Sequence, residues 1–214
     1  MKEKFEAFEK FAEEYDAWYD RFRYVYASEL EAIRKNLRKA PDSLEIGVGS
    51  GRFAAPLGIR YGLEPSGCMG RIARRRGVTV VRGEAEYLPF KGCHFSCLLL
   101  VTTLCFLDDA QQALKEVWRV LRPGGQLTVG FIDRNSALGI SYQKHKQDST
   151  FFKTARFYSA AEVKDLLQTV GFESLRFCQT IFKRLDRIEK QESIKDGYGE
   201  GSFVVVRALK RKIS

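Results

Sequence analysis

A chain of 214 residues with 44% hydrophobic and 29% charged content can bury one generous core and leaves little for a second domain. No apolar stretch approaches the length of a membrane span; the longest, residues 97–101, reads as a buried strand. The start alternates Lys, Glu and Phe, unlike a signal or transit peptide, and we read the five cysteines as reduced thiols of a cytoplasmic protein. The net charge of +9 is dispersed over Arg71, Arg74, Arg75 and Arg76, Lys183 and Arg184, and the tail. Solvated basic faces account for that spread more simply than a nucleic-acid surface does.

From the amino terminus, Phe5, Phe8, Phe11, Tyr15, Trp18, Tyr19 and Phe22 recur at spacings of three and four, predicting an amphipathic helix over residues 2–22. A second helix is expected over 28–38, capped by Ser28 and ended before Pro41, so that residues 1–39 form a helical cap. A strand over 43–47 then enters Leu44-Glu45-Ile46-Gly47-Val48-Gly49-Ser50-Gly51-Arg52-Phe53. Glycines at i, i+2 and i+4 after an acid make a turn that can pass close under a ligand. The helix that follows would direct free backbone N–H groups at that ligand. A dinucleotide fold would want its third glycine where Arg52 stands.

The next expected strand, 59–63, ends in Glu64-Pro65-Ser66, where an acid can accept two hydrogen bonds from a ribose diol. Strand 78–82 runs into Arg82-Gly83-Glu84-Ala85-Glu86-Tyr87-Leu88-Pro89-Phe90, and strand 95–101 ends in Val101-Thr102-Thr103. A helix over 109–121 stops at Pro123-Gly124-Gly125 before strand 126–132. Such alternation implies a parallel sheet with helices on both faces. Residues 133–158 lose periodicity and carry Tyr142, His145, Phe151, Phe152, Phe157 and Tyr158, which suits a lid-like insertion over 134–158. Ser159 caps a helix to Val170, Gly171 stops it, and strand 173–182, a charged connection and strand 202–209 complete the chain.

The acidic G-x-G-x-G turn resembles motif I of the class I S-adenosylmethionine (SAM) methyltransferases. The segment from Gly83 to Phe90 is similar to the G-[DE]-A-E-x-L-P-F run of the family that includes the ubiquinone and menaquinone biosynthesis methyltransferases, and residues 113–127 resemble its helix-turn-strand signature. The resemblance implies one α/β domain over 1–214, with a doubly wound, Rossmann-like, seven-stranded sheet of order 3-2-1-4-5-7-6 whose last strand is antiparallel. It implies SAM as cofactor, with Glu84 meeting the adenine amino group, the Ala85 N–H a ring nitrogen, and Val101 and Thr102 the methionine part. Residues 11–20 resemble the Y-D-x-W-Y segment that caps the family's SAM site, which would bring Tyr15 and Tyr19 to the ligand. Glu45, Gly47, Gly49, Gly51, Glu64, Pro65 and Glu86 complete the expected cofactor set. Because SAM is cationic, acids at 45, 64 and 84 suit it better than they suit a nucleotide phosphate.

The acceptor is less legible. The strand-four end has no N-P-P-Y run and no Pro-Cys pair, which counts against modification of nucleic acid bases. We expect a small-molecule acceptor in an aromatic pocket under the lid. RNA or protein methylation on the basic surface, and non-catalytic SAM-binding regulation, are the alternatives. Methyl transfer from a sulfonium demands alignment and dryness more than a dedicated base. No catalytic residue is assigned; Tyr19, Asp133 and His145 are the candidates, His145 as a base and Asp133 as a contact on the substrate side. Cys93-His94-x-x-Cys97 with Cys105 reads as structural cysteine, so no metal is expected.

Overall fold

The computed structural model describes residues 3–211. Three helices open the chain: α1 (Glu3–Lys10), α2 (Ala12–Arg21) and α3 (Arg23–Asn36). The single helix expected over 2–22 is therefore two, broken at Phe11, and the following helix starts at Arg23. The breaks at Phe11 and Phe22 redirect the chain, so that three aromatic faces meet different parts of the molecule. Ser28 lies inside α3 and caps nothing. Its hydroxyl donates to Tyr24 O at 2.7 Å and accepts the Glu192 N–H at 2.8 Å, tying the charged connection to the helix.

Eight strands follow the expected alternation: β1 (Ser43–Ile46), β2 (Tyr61–Leu63), β3 (Thr79–Val81), β4 (Phe95–Val101), β5 (Leu121–Ile132), β6 (Phe172–Thr180), β7 (Lys195–Asp196) and β8 (Phe203–Lys210). Their order is β3-β2-β1-β4-β5-β8-β6-β7. β1 to β5 pair in parallel, and β8 inserts antiparallel between β5 and β6. The seven expected strands keep the expected order; β7 is an added two-residue edge on β6. Its Lys-Asp pair has no apolar alternation for a sequence reading to find.

The remaining helices are α4 (Ala54–Leu57), α5 (Gly67–Arg75), α6 (Ala110–Val120), α7 (Ala137–Lys144) and α8 (Ala160–Val170). Leu44, Ile46, Leu98 and Leu100 pack toward α6 and α8 on one face. Leu99, Val101 and Val205 pack toward α3 and α4 on the other. Burial on both faces is why β4 reads as a continuous apolar run. Local chemistry sets the helix ends: Asp109 accepts the Gln112 N–H, Ser159 and Glu162 form a capping box, and Gly171 ends α8 at φ +105°.

The stretch after β5 departs from expectation. It holds α7, capped by Ser136, instead of irregular chain. Gly139 is what lets α7 sit down, because a Cβ there would stand 2.1 Å from Asp133 O. Among the described residues no helix is long and apolar enough to cross a membrane.

Candidate active-site cleft at the carboxyl edge of the sheet

β1, β2 and β4 end at one edge, and above them lies a cleft that opens to solvent. Its floor is the glycine turn. Gly47, Gly49 and Gly51 have φ of +69°, +55° and +82°. Such values are costly for any residue with a Cβ. The N–H groups of Gly47 and Val48 both donate to Leu63 O, at 2.8 and 3.0 Å, locking the turn to β2. A Cβ on Gly47 would stand 2.4 Å from Thr103 Oγ1, so the turn that follows β4 closes over the glycine turn from the far side.

Glu64 stands at the end of β2 and binds the turn to the cleft wall. Its Oε2 accepts the Gly49 N–H at 2.8 Å and its Oε1 accepts the Ser66 N–H at 2.9 Å. Burial pushes its pKa up to about 7 against the pull of those two bonds. Each oxygen retains acceptor capacity for a ligand. Glu84, Ala85 and Glu86 line the next wall. Glu86 is engaged within the protein, accepting the Asp108 N–H at 2.9 Å with Lys4 at 3.9 Å. Val101 and Thr102 form the β4 rim. Thr102 holds φ +49°, in the left-handed region that few non-glycine residues adopt.

The helical cap closes the cleft from above. Phe5, Phe8 and Tyr15 line it. Phe8 meets Phe106 and Phe151 with ring centroids 5.0 and 5.6 Å apart. α1 is pinned by Glu9, whose carboxylate accepts the Ser66 hydroxyl at 2.6 Å and the Cys68 N–H at 3.2 Å. α2 is pinned by Asp16, which accepts from Arg52 at 2.8 Å and from Arg76 at 2.7 Å. Burial opposes ionisation of Asp16, but the two guanidinium groups outweigh it and hold the pKa at about 2. Arg52 is the residue that ends the glycine turn, and its carbonyl also accepts the Tyr26 hydroxyl. Cap and floor are thus one hydrogen-bonded unit.

Of the residues singled out in the sequence, Tyr15, Gly47, Gly49, Glu64, Pro65, Glu84, Ala85, Glu86, Val101 and Thr102 line the cleft. Glu45, Gly51 and Tyr19 do not. Glu45 points from β1 into the opposite layer, fully buried, with Oε2 lacking a partner. Burial holds its carboxyl well above the usual range against a hydrogen bond from Ala54 N–H. Gly51 permits close packing on α5, where a Cβ would come within 3.1 Å of Ala73 Cα. Tyr19 turns inward onto Tyr26 and Phe53.

Asp133 is spent on the turn into α7, accepting the Asn135 N–H at 2.8 Å. His145 is exposed at the end of that helix. Lys4, Met69, Phe106 and Leu107 line the cleft without having been singled out. Phe5 and Phe8 belonged to the aromatic stripe, but the others carry no local pattern. Cys97 is buried and Cys93 exposed, and the described residues contain no group of three His, Cys, Asp or Glu able to hold a metal.

Comparison with known proteins agrees with this geometry. A methyltransferase domain model matches residues 44–129. The crystal structure of a SAM-dependent methyltransferase from Thermotoga maritima, described as a possible histamine N-methyltransferase, superposes with a TM-score of 0.94 at 49% identity, covering 97% of this chain and 100% of that one. An uncharacterized protein of Methanocaldococcus jannaschii is 45% identical over 95% of this chain and 98% of its own length. The ubiquinone/menaquinone biosynthesis C-methyltransferase of Pasteurella multocida is 32% identical over 44% of this chain and 40% of its own length, a partial likeness.

Proposed function

We propose that this chain, which belongs to the class I S-adenosylmethionine-dependent methyltransferases, methylates a small-molecule acceptor held between the cleft and the aromatic segment around α7. SAM is its cofactor, and when bound it supplies an electrophilic methyl group on a sulfonium. The observation that carries the reading is the pairing of Glu64 with the glycine turn: a buried carboxylate, pre-oriented by the Gly49 and Ser66 N–H groups, at the mouth of a backbone that a ligand can approach. In this reading Glu64 receives the ribose hydroxyls, Glu84 and the Ala85 N–H the adenine, and the Val101–Thr102 backbone the methionine part. No general base is required of the protein unless the acceptor arrives protonated.

For the acceptor, the chain's work is positioning and exclusion of water. Phe8, Phe106 and Phe151 close on one another over the cleft and supply that dryness. In the same reading residues 1–39 act as a cap and 134–158 as a lid. Two of the arginines behind the basic charge are engaged within the fold: Arg74 donates to Val80 O at 2.9 Å and Arg76 to Asp16. That favours a small molecule over RNA or protein. A cytoplasmic location belongs to the same proposal and rests on the five free cysteines. Labelled SAM offered with a metabolite extract, total RNA and a protein fraction tests it. Label is expected among small molecules; label confined to RNA or protein would overturn the proposal.

A further inference from the structure

The cap's share of the cleft wall comes mainly from α1, its least buried helix. Lys4, Phe5 and Phe8 line the cleft from α1, and α2 adds Tyr15. None of residues 4–10 is fully buried, whereas Ala12, Asp16 and Tyr19 of α2 are. α2 is tied to the floor by the Asp16 contacts with Arg52 and Arg76, and Tyr19 packs on Phe53. Between the two helices stands Phe11 alone, at φ −119° and ψ 34°, with no side-chain cap. Those angles lie outside the helical region, so the helix axis is already interrupted there. A single irregular residue between two helices can absorb a rotation that leaves both intact.

Two polar contacts hold α1 down, one on each side of the cleft. On the β4 side, Lys4 Nζ lies 3.0 Å from Asp108 Oδ1 and 3.9 Å from Glu86 Oε1, and the Lys4 side chain is only 9% exposed. On the β2 side, Glu9 accepts the Ser66 hydroxyl at 2.6 Å and the Cys68 N–H at 3.2 Å. Between them Phe8 meets Phe106 and Phe151. α1 is thus a strap laid from one rim to the other, and a ligand bound at the glycine turn lies beneath it. Ser66 also donates its N–H to Glu64, which accepts the Gly49 N–H. The Glu9 contact therefore ends on the same hydrogen-bonded chain that orients Glu64. Lys4 shares the cleft wall with Glu84, Ala85 and Leu107. A bare ammonium in that position would repel a cationic cofactor. Paired with two carboxylates it does not, and its methylene stem remains as apolar lining.

We propose that α1 alone is the gate of the cofactor cleft, turning at Phe11 while α2 stays in place, and that Lys4 is its latch and a positioning residue at the adenine end. The proposal rests on the cofactor placement given above. Entry and exit then require α1 to lift, which breaks the Lys4 and Glu9 contacts and parts Phe8 from Phe106 and Phe151. Little else resists the motion, since a helix with few buried contacts opens at low cost. The Lys4 latch has one well-exposed partner, Asp108 at 58%, so it is weakened by salt. The Asp16 cluster that holds α2 is more buried and stays shut.

Surface plasmon resonance with S-adenosylhomocysteine, the demethylated cofactor, tests the gate, because a latch and a simple ligand contact change different rates. Loss of a latch on a gate that is shut in the free protein raises both association and dissociation rates. Loss of a ligand contact raises dissociation alone. Lys4→Met keeps most of the apolar stem and removes the charge. Asp108→Asn removes the partner and keeps the N–H that Glu86 accepts. Each variant is expected to melt near the wild-type temperature and to raise both rates roughly threefold or more, the worth of a partly exposed ion pair. Raising salt from about 50 to about 500 mM should speed both rates in the wild type and change them less in K4M. An association rate left unchanged in whichever of the two variants folds overturns the gate, whatever happens to dissociation. Failure of the wild type to bind S-adenosylhomocysteine would instead overturn the cofactor-site reading beneath it.

Discussion

At the scale of single residues, the cleft assigns different jobs to groups that look alike in the sequence. Glu64 holds the turn and lines the cleft, so on the proposed reading Glu64→Ala should weaken SAM by about 1.5–3 kcal/mol, the usual worth of hydrogen bonds to a charged group. The fold should persist, because the freed Gly49 N–H opens on the cleft and water can reach it. Calorimetry checks the affinity and a melting curve the fold. The glycines separate in the same way. At Gly49 a Cβ meets only Met69 Cε at 3.5 Å, whereas at Gly47 it meets Thr103 Oγ1 at 2.4 Å. Gly49→Val should therefore abolish SAM binding at a folding cost of about 1–2 kcal/mol from its positive φ. Gly47→Val should cost distinctly more stability by displacing the turn that follows β4. Equal melting temperatures for the two variants would contradict this division. The glycines and Glu64 were legible because turn chemistry is local. Glu45 and Tyr19 lie away from the cleft lining, and their motif positions say nothing about which layer a side chain enters.

At the scale of elements, α2 is anchored by charge and the 134–158 segment by packing. Asp16 joins α2 to Arg52 of the glycine turn and to Arg76 beyond α5. Asp16→Asn leaves Arg76 short of a counter-charge while Arg52 keeps Asp20 at 2.6 Å, and should cost about 2 kcal/mol, less than the 3–5 of a fully buried pair because Arg76 is partly exposed. Chemical denaturation measures that loss. Phe8 of α1 and Tyr15 of α2 both meet Phe151 of the 134–158 segment, and their burial over the cleft should deepen when a ligand fills it. Hydrogen exchange in both segments should slow on adding S-adenosylhomocysteine; full protection of both in the free protein would make them ordinary core. Sequence periodicity found the aromatic stripe but not its breaks at Phe11 and Phe22, which answer to where α5 and the glycine turn lie. It missed α7 because that helix buries only Gly139, leaving no apolar stripe to read.

At the scale of the whole molecule, a basic chain surrounds an acidic interior, and the two make opposite demands on pH. Glu64 and Glu29 have folded-state pKa values of about 7 and about 8, above those of an unfolded chain. Such groups give stability that is complete below about pH 4.5 and is lost as pH rises toward 8. Asp16, held at about 2, gives stability present above about pH 4 and lost as pH falls through 2. The ligand-free protein should therefore melt at its highest temperature in mildly acid solution and at progressively lower temperatures toward pH 8. Glu29→Gln should flatten the alkaline limb; a limb of unchanged slope would mean that Glu29 titrates as an exposed carboxyl. The parallel half of the sheet was readable from the alternation of strands and helices, and the antiparallel β8 from the family resemblance, while the two-residue edge β7 depends on long-range pairing that no short pattern encodes. Calorimetric titration of the wild-type protein with SAM, S-adenosylhomocysteine and NAD tests the central claim most directly. Heat of binding at one site for the first two and none for NAD is the predicted result; binding of NAD with none of SAM would contradict the account.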